Sequence, residues 1–188
     1  MARVARPPRP LAKHLGRRMV SSSMKRLLLP SLFAMASCLH AAPLNVGDPA
    51  PAVTGVTETG ADLDFSVAYK QQPYTLVYFF PKAFTPGCTA QGCSLRDAYE
   101  KLSAKGVAVI GVSTDSVEKQ KKFKDAEKFP FTLVADTDKK VMKAFGQNGV
   151  LFASRQAYLI HDGKIVYADH KGSTTKQAQD ILDFLAAK

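Results

Sequence analysis

Phe79-Phe80-Pro81-Lys82-Ala83-Phe84-Thr85-Pro86-Gly87-Cys88-Thr89-Ala90-Gln91-Gly92-Cys93 is the stretch that the rest of the chain serves. It continues an apolar, β-rich run that begins at Tyr74, passes through a proline/glycine turn, and delivers Cys88 to the first turn of an expected helix. Cys93 follows five positions later. A strand that hands a thiol to a helix N-terminus sets it against the partial positive charge of the helix end, which favours the thiolate.

Outward from this stretch the pattern alternates strands and helices. Tyr74 to Phe80 is nearly all apolar or β-branched, as expected of a central strand buried on both faces. From Cys88 to Ala104 the spacing predicts one helix with Leu95, Ala98, Tyr99 and Leu102 on a shared face, ended by Gly106. Val107 to Val112 reads as a second buried strand. Ser116 caps a charged helix to about Glu127 whose face Lys119 to Lys128 is expected to be solvated. Phe131 to Ala135 is a short strand, and Thr137 opens a brief helix through Phe145. Arg155–His161 and Lys164–Asp169 flank Asp162-Gly163, a hairpin signal, and Thr174 to Ala187 is a closing amphipathic helix. Near the start, Ala52–Thr57 and Asp62–Phe65 flank Glu58-Thr59-Gly60 as a smaller hairpin. This order predicts an α/β chain with a mixed central sheet flanked by helices, a thioredoxin-like fold, over residues 43–188. There is no internal repeat. His161 and His170 have no partner that the sequence names.

The formal charge of +10 belongs to a leader. Residues 1–42 hold eight of the 26 Lys/Arg and none of the 16 Asp/Glu, so the remainder carries only +2. A nucleic-acid-binding tail is disfavoured because no aromatic residues are interleaved with the charges. Met24-Lys25-Arg26, the apolar run Leu27–Leu39 and the small residues Ala41-Ala42 read as a secretory signal over 24–42, with 1–23 an extension and Met24 the expected true start. The apolar run is shorter than the roughly 20 residues of a membrane span. The expected location is therefore outside the cytoplasm, in a bacterial periplasm. The alternatives are an organelle transit peptide, or a lipid anchor at Cys38 through the imperfect lipobox Met35-Ala36-Ser37-Cys38. Ordinary cleavage removes Cys38 and leaves two cysteines, a number that permits a disulfide in an exported protein.

Pro81-x-x-x-Thr85-x-x-Cys88, with Arg155 far downstream on a strand edge, resembles the active-site set of peroxiredoxins, and the likeness extends over the whole of 43–188. Thr85-Pro86-Gly87-Cys88-Thr89 with Cys93 five residues on, Lys105 to Ser113 and Ser154 to Leu159 are similar to the Q-type, bacterioferritin comigratory protein-like branch. The resemblance implies a peroxidatic Cys88, a resolving Cys93, a thioredoxin or similar dithiol reductant, no cofactor and a monomer. Many members carry Glu three residues after the peroxidatic cysteine; this chain has Gln91, as some plant-type members do.

The residues themselves suit the chemistry. A free thiol, with a pKa of about 8.5, is mostly protonated at neutral pH. The helix end and the always-charged guanidinium of Arg155 would shift it toward thiolate. The Thr85 hydroxyl would accept from the peroxide and donate to the sulfur. Backbone N–H groups of Gly87 and Cys88 would hold the peroxide oxygens, and Pro81 would supply an apolar wall. Taken singly, each has a bland explanation: Thr85 a cap, Arg155 a surface charge, Pro81 a turn residue. Zinc held by Cys88 and Cys93 is disfavoured by their spacing and the missing second ligand pair. On a regular helix, Cα atoms five residues apart lie about 8.6 Å from each other. A disulfide tolerates less than about 7 Å. Closure would therefore require α-helical unwinding, for which Gly92, a poor helix former, is the motivating residue. Competing functions are a thioredoxin-type thiol-disulfide oxidoreductase, disfavoured by the absence of C-x-x-C and of any Trp, and a non-catalytic thioredoxin-fold binding or chaperone module.

Overall fold

The computed structural model describes residues 42–188. The expectations for the extension, for Cys38 and for the signal-like segment up to Ala41 fall on residues 1–41, outside the described ones.

A short hairpin, β1 (Thr54–Val56) and β2 (Asp62–Asp64), opens the domain. It leads into α1 (Phe65–Ala68), β3 (Tyr74–Phe79), α2 (Pro86–Asp97) and α3 (Tyr99–Ala104). β4 (Val107–Ser113), α4 (Val117–Glu127), β5 (Thr132–Ala135) and α5 (Lys140–Ala144) come next, then β6 (Gln156–His161), β7 (Lys164–Asp169) and α6 (Gln177–Ala186). The main sheet has the order β5-β4-β3-β6-β7, with β3 at its centre. β3 runs parallel to β4, from Tyr74↔Val107 to Phe79↔Val112, and antiparallel to β6, from Tyr74↔His161 to Phe79↔Gln156. The sheet is thus mixed, as the thioredoxin-like expectation requires.

The alternation of β3 explains why it is buried on both faces from Thr75 onward. Leu76, Tyr78 and Phe80 enter one core with Leu95, Leu102, Phe123, Phe129 and Ile181; Val77 and Phe79 enter the other with Phe65, Val141, Phe145 and Tyr158. Each fully buried side chain of this size contributes about 1.5–3 kcal/mol.

Three local expectations need correction. The helix expected over 88–104 begins two residues earlier, at Pro86, and is two helices, broken at Ala98 (φ −101°, ψ 8°): α2 packs against α6, and α3 packs against both α6 and β4. Thr137 does not open a helix. The buried Asp136 carboxylate takes the N–H groups of Val141 and Met142 at 2.9 and 2.8 Å, so α5 starts three residues later. The last helix likewise begins at Gln177 rather than Thr174. Ser116 does cap α4, accepting from the Lys119 N–H at 3.3 Å. Exposed pairs Lys121–Asp125 and Lys122–Glu118 line the outer face of α4, while Gln120 and Phe123 are buried. His161 finds a partner in the Pro73 carbonyl at 2.8 Å and stacks on Tyr74; the His170 ring meets the edge of Tyr158.

Candidate active site

Beyond β3, the Phe80 N–H still donates to Val112 O at 3.1 Å, and the chain then bends at the partly buried Pro81. The bend is held from the neighbouring strand. Asp115, just past β4, accepts the Ala83 N–H at 2.7 Å and the Ser113 hydroxyl at 2.9 Å, and pairs with Lys119 at 2.6 Å. Phe84 adopts a left-handed φ of 66° and lays its ring 5.0 Å from that of Phe123. Thr85 is the N-cap residue in extended geometry, and Pro86 occupies the first helical position, where a missing N–H costs nothing. The Thr85 hydroxyl donates to Lys82 O at 2.9 Å. Its one proton is therefore committed to the loop, and only its lone pairs face other groups; the expected donation to sulfur is not what this geometry provides.

Cys88 stands in the first turn of α2 with 1% exposure. Thr89 N–H is bonded to Thr85 O at 2.9 Å. Gly87 and Cys88 precede it, where helical N–H groups lack an intrahelical acceptor and are available to a ligand. Arg155 reaches this turn because β3 and β6 pair Phe79 with Gln156, so the residue just before β6 lands beside the exit of β3. Its Nη2 donates to Cys88 Sγ at 3.4 Å; its Nη1 donates to Gln91 Oε1 at 2.6 Å and Gly87 O at 3.3 Å. Gln91 is fully buried and passes the contact on, its Nε2 donating to Gln177 Oε1 at 2.9 Å. Against the aliphatic stem and backbone of Arg155, Gly172 (φ +48°) lies so close that a Cβ there would sit 2.5 Å from Arg155 Cγ. The Gly172 turn is tied down by Asp169, which accepts N–H bonds from Lys171, Gly172 and Ser173 at 2.9–3.2 Å.

Cys93 lies further along α2, partly buried, and both thiols are free. Its S–H donates to Glu127 Oε2 at 3.5 Å. Burial pushes its pKa above the ordinary thiol value; Arg96 opposes this, and the hydrogen bond to Glu127 adds to it. Gly92 has a role different from the one its weak helix propensity suggests. A Cβ there would lie 2.4 Å from Phe129 Cζ, so glycine is what lets the ring seat against α2.

The structure thus brings Cys88, Gly87 and Arg155 together, sets Thr85 one turn before them, and leaves Pro81 in the preceding bend. The sequence assigns no site role to Gln177, Asp115, Asp169, Gly172 or Glu127. Asp169 with Gly172 carried a turn signal; the others carried none. Tyr78 was also missed. Its buried hydroxyl has no hydrogen-bond partner among the described residues, and burial together with the nearby Cys88 and Cys93 keeps it protonated well above the usual tyrosine range. A cavity of about 710 Å³ bordered by Ala50, Tyr69, Lys70, Pro73 and Asp162 lies at the opposite end of β3 and shares none of these groups. Chemically, the arrangement is a shielded thiol faced by a fixed cation and free helix N–H donors, suited to attack on a small electrophile whose leaving atom gains negative charge.

Comparison with known proteins agrees with this chemistry. The AhpC/TSA family matches residues 46–168. The chain is similar to peroxiredoxin Bcp of Escherichia coli K12, 37% identical over 152 residues that cover 76% of this chain and 96% of that one. It is also similar to the chloroplastic peroxiredoxin Q of rice (japonica), 40% identical over 150 residues covering 73% and 68%. Among solved structures, peroxidoxin BcpB of Mycobacterium tuberculosis superposes with a TM-score of 0.72 at 27% identity, covering 77% of this chain and 97% of that one. These relatives are peroxiredoxins, so the thioredoxin-type oxidoreductase reading is not favoured. A buried thiol at a helix start under a fixed arginine, on a scaffold shared along most of its length with such relatives, makes this chain a member of the AhpC/TSA family and, within it, a peroxiredoxin of the Q-type, Bcp-like branch.

Proposed function

We propose that this peroxidase reduces hydrogen peroxide and organic hydroperoxides through a Cys88 sulfenic acid that Cys93 resolves as an intramolecular disulfide, with thioredoxin or a similar dithiol as reductant. The observation that carries the reading is the 3.4 Å contact between Arg155 Nη2 and the buried Cys88 Sγ at the start of α2. The Cys88 thiolate attacks one peroxide oxygen and the O–O bond breaks. The other oxygen leaves with the electron pair, takes a proton, and departs as water or alcohol. Arg155 and the Gly87 and Cys88 N–H groups stabilise the charge that grows during this step, the Thr85 oxygen accepts from the peroxide hydroxyl, and Pro81 walls the thiol from water. Cys93 then attacks the Cys88 sulfur; the S–S bond forms, the S–O bond breaks, and water leaves. A dithiol reductant becomes oxidised as it returns both cysteines to thiols.

Because both cysteines sit on the continuous helix α2, the second step calls for its first turns to unwind. A monomer suffices for this cycle, since both cysteines belong to one helix. The basic Met24-Lys25-Arg26 and the apolar run after it support export, with residues 1–42 as leader and 43–188 as the mature peroxidase domain.

Peroxide consumption with a thiol reductant tests the reading. The wild type should turn over, Cys88→Ser should be inert, and Cys93→Ser should be oxidised once and then stall. Peptide mapping of the oxidised wild type should show the Cys88–Cys93 link. Turnover in Cys88→Ser, or a map without that link, overturns the reading.

A further inference from the structure

The C-terminal end of α4 is wrapped onto α2 at the resolving cysteine. Glu127, the last residue of α4, accepts from the Cys93 S–H at 3.5 Å. Arg96, one turn beyond Cys93, donates to the Glu127 carbonyl at 2.7 Å and holds its Nη1 3.9 Å from the same carboxylate oxygen. Two residues on, the buried Phe129 ring seats against Gly92 and is itself fixed by Phe131, stacked at 5.1 Å, and Phe123, edge-on at 5.0 Å. Three features of α2 (the space at Gly92, the Cys93 thiol and the Arg96 guanidinium) are therefore all engaged by residues 127–129.

The Glu127 carboxylate is hydrogen-bonded to Cys93, whereas the Cys88 sulfur is bonded to Arg155. Glu127 is well placed to act on the second thiol alone. A carboxylate is an acceptor only, so it stabilises Cys93 as S–H and disfavours the thiolate, the form that attacks a sulfenic acid.

We infer that Glu127, braced by Arg96, is a positioning residue that keeps Cys93 in its unreactive thiol form while α2 is intact and releases it as a nucleophile only when the helix unwinds. The inference rests on the reading of Cys93 as the resolving cysteine. It sets the order of events. Peroxide meets Cys88 in the folded helix while Cys93 is held. Unwinding breaks the Sγ–Oε2 contact and exposes Cys93 to water, and its proton goes to solvent. The Cys93 sulfur then attacks the Cys88 sulfenic acid, and the departing hydroxide takes up a proton as water. Charged and titratable groups facing Cys93 are Arg96 and Asp97 on its own helix, Glu127 on α4, and Tyr78 on β3; of these, Glu127 is the hydrogen-bonded acceptor.

The test uses the full chain carrying Cys88→Ser. Iodoacetamide alkylation of Cys93 is followed across pH by peptide-resolved mass spectrometry, with and without Glu127→Gln. The expected result is a lower alkylation midpoint in Glu127→Gln and a rate near neutral pH that is about threefold or more higher. A change that merely loosened the packing would raise the rate at every pH, including the high-pH plateau, and leave the midpoint in place; that outcome overturns the inference. In the Cys88-containing chain, Glu127→Gln should also shorten the sulfenic acid lifetime after a peroxide pulse, and an unchanged lifetime counts equally against it. If the wild type forms no Cys88–Cys93 disulfide, the resolving-cysteine reading fails and takes the gating role with it. If the disulfide forms but the midpoint does not move, the gating role alone fails.

Discussion

Adding one methyl group at Gly92 sets two effects of known size against each other. In an exposed helix interior, Gly→Ala stabilises by about 0.8–1.0 kcal/mol through backbone entropy. Here the new Cβ would lie 2.4 Å from Phe129 Cζ, 2.9 Å from Cε1 and 3.1 Å from Cε2. Phe129 is 3% exposed and gripped by the Phe123 and Phe131 rings, so it has no space into which to swing. Overpacking of this kind costs about 1–3 kcal/mol. The packing cost exceeds the entropic gain, and Gly92→Ala should destabilise the reduced protein by about 1 kcal/mol. For a domain of this size that lowers Tm by about 2–4 °C. Urea unfolding of the reduced protein measures it. Phe129→Leu removes the ring atoms in the way, so in that background the same methyl should become stabilising, with a coupling of about 1 kcal/mol or more in the double-mutant cycle. A gain of stability from Gly92→Ala alone, equal to the helix-propensity value, would refute the claim that the Phe129 ring is immobile against α2.

Arg155→Met removes the donor to Cys88 and should slow the first oxidation step about ten- to hundredfold, the kinetic equivalent of one charge-assisted hydrogen bond of about 1.5–3 kcal/mol. Competition for hydrogen peroxide against a second peroxidase reads the rate, and a loss below threefold contradicts the assigned role. Alkaline pH should unfold the domain. Burial raises the folded-state pKa values of Tyr158 and Tyr167 from 10.0 to about 12, and those of Tyr69 and Tyr78 further still. A raised folded-state pKa means that the folded protein binds the proton more tightly than the unfolded chain. This contribution is complete below pH 10 and is lost as pH rises through 12 and beyond. Denaturation midpoints at pH 9 and pH 11 should differ, the latter being lower, and Tyr158→Phe should reduce the difference; equal midpoints would show that these hydroxyls are not buried in solution.

The amino-acid sequence alone determined the features that depend on near neighbours. The apolar run Tyr74–Phe79 has to lie inside a sheet, Pro86-Gly87 turns the chain so that Cys88 enters the first turn of a helix, Ser116 caps the helix that begins after it, and Asp162-Gly163 folds a hairpin; each is a matter of a few consecutive residues and their φ/ψ preferences. Cys88 and Cys93 and their spacing were visible for the same reason. Arg155 was reached by resemblance, since nothing in its own neighbourhood separates it from the other Lys and Arg residues. Only the tertiary structure decided that it faces Cys88, through the β3–β6 register that sets Phe79 opposite Gln156. Gln91 to Gln177, Ala83 to Asp115 and Cys93 to Glu127 are likewise contacts between residues 86, 32 and 34 positions apart. A hydrogen bond closed over such a separation leaves no periodicity and no turn signal in the sequence. It exists because the sheet order and helix packing carry two otherwise ordinary side chains to the same place. Gly92 shows the same division: its weak helix propensity is a local property legible in the sequence, but its use, room for the Phe129 ring, belongs to the packing against α2 of the segment that follows α4.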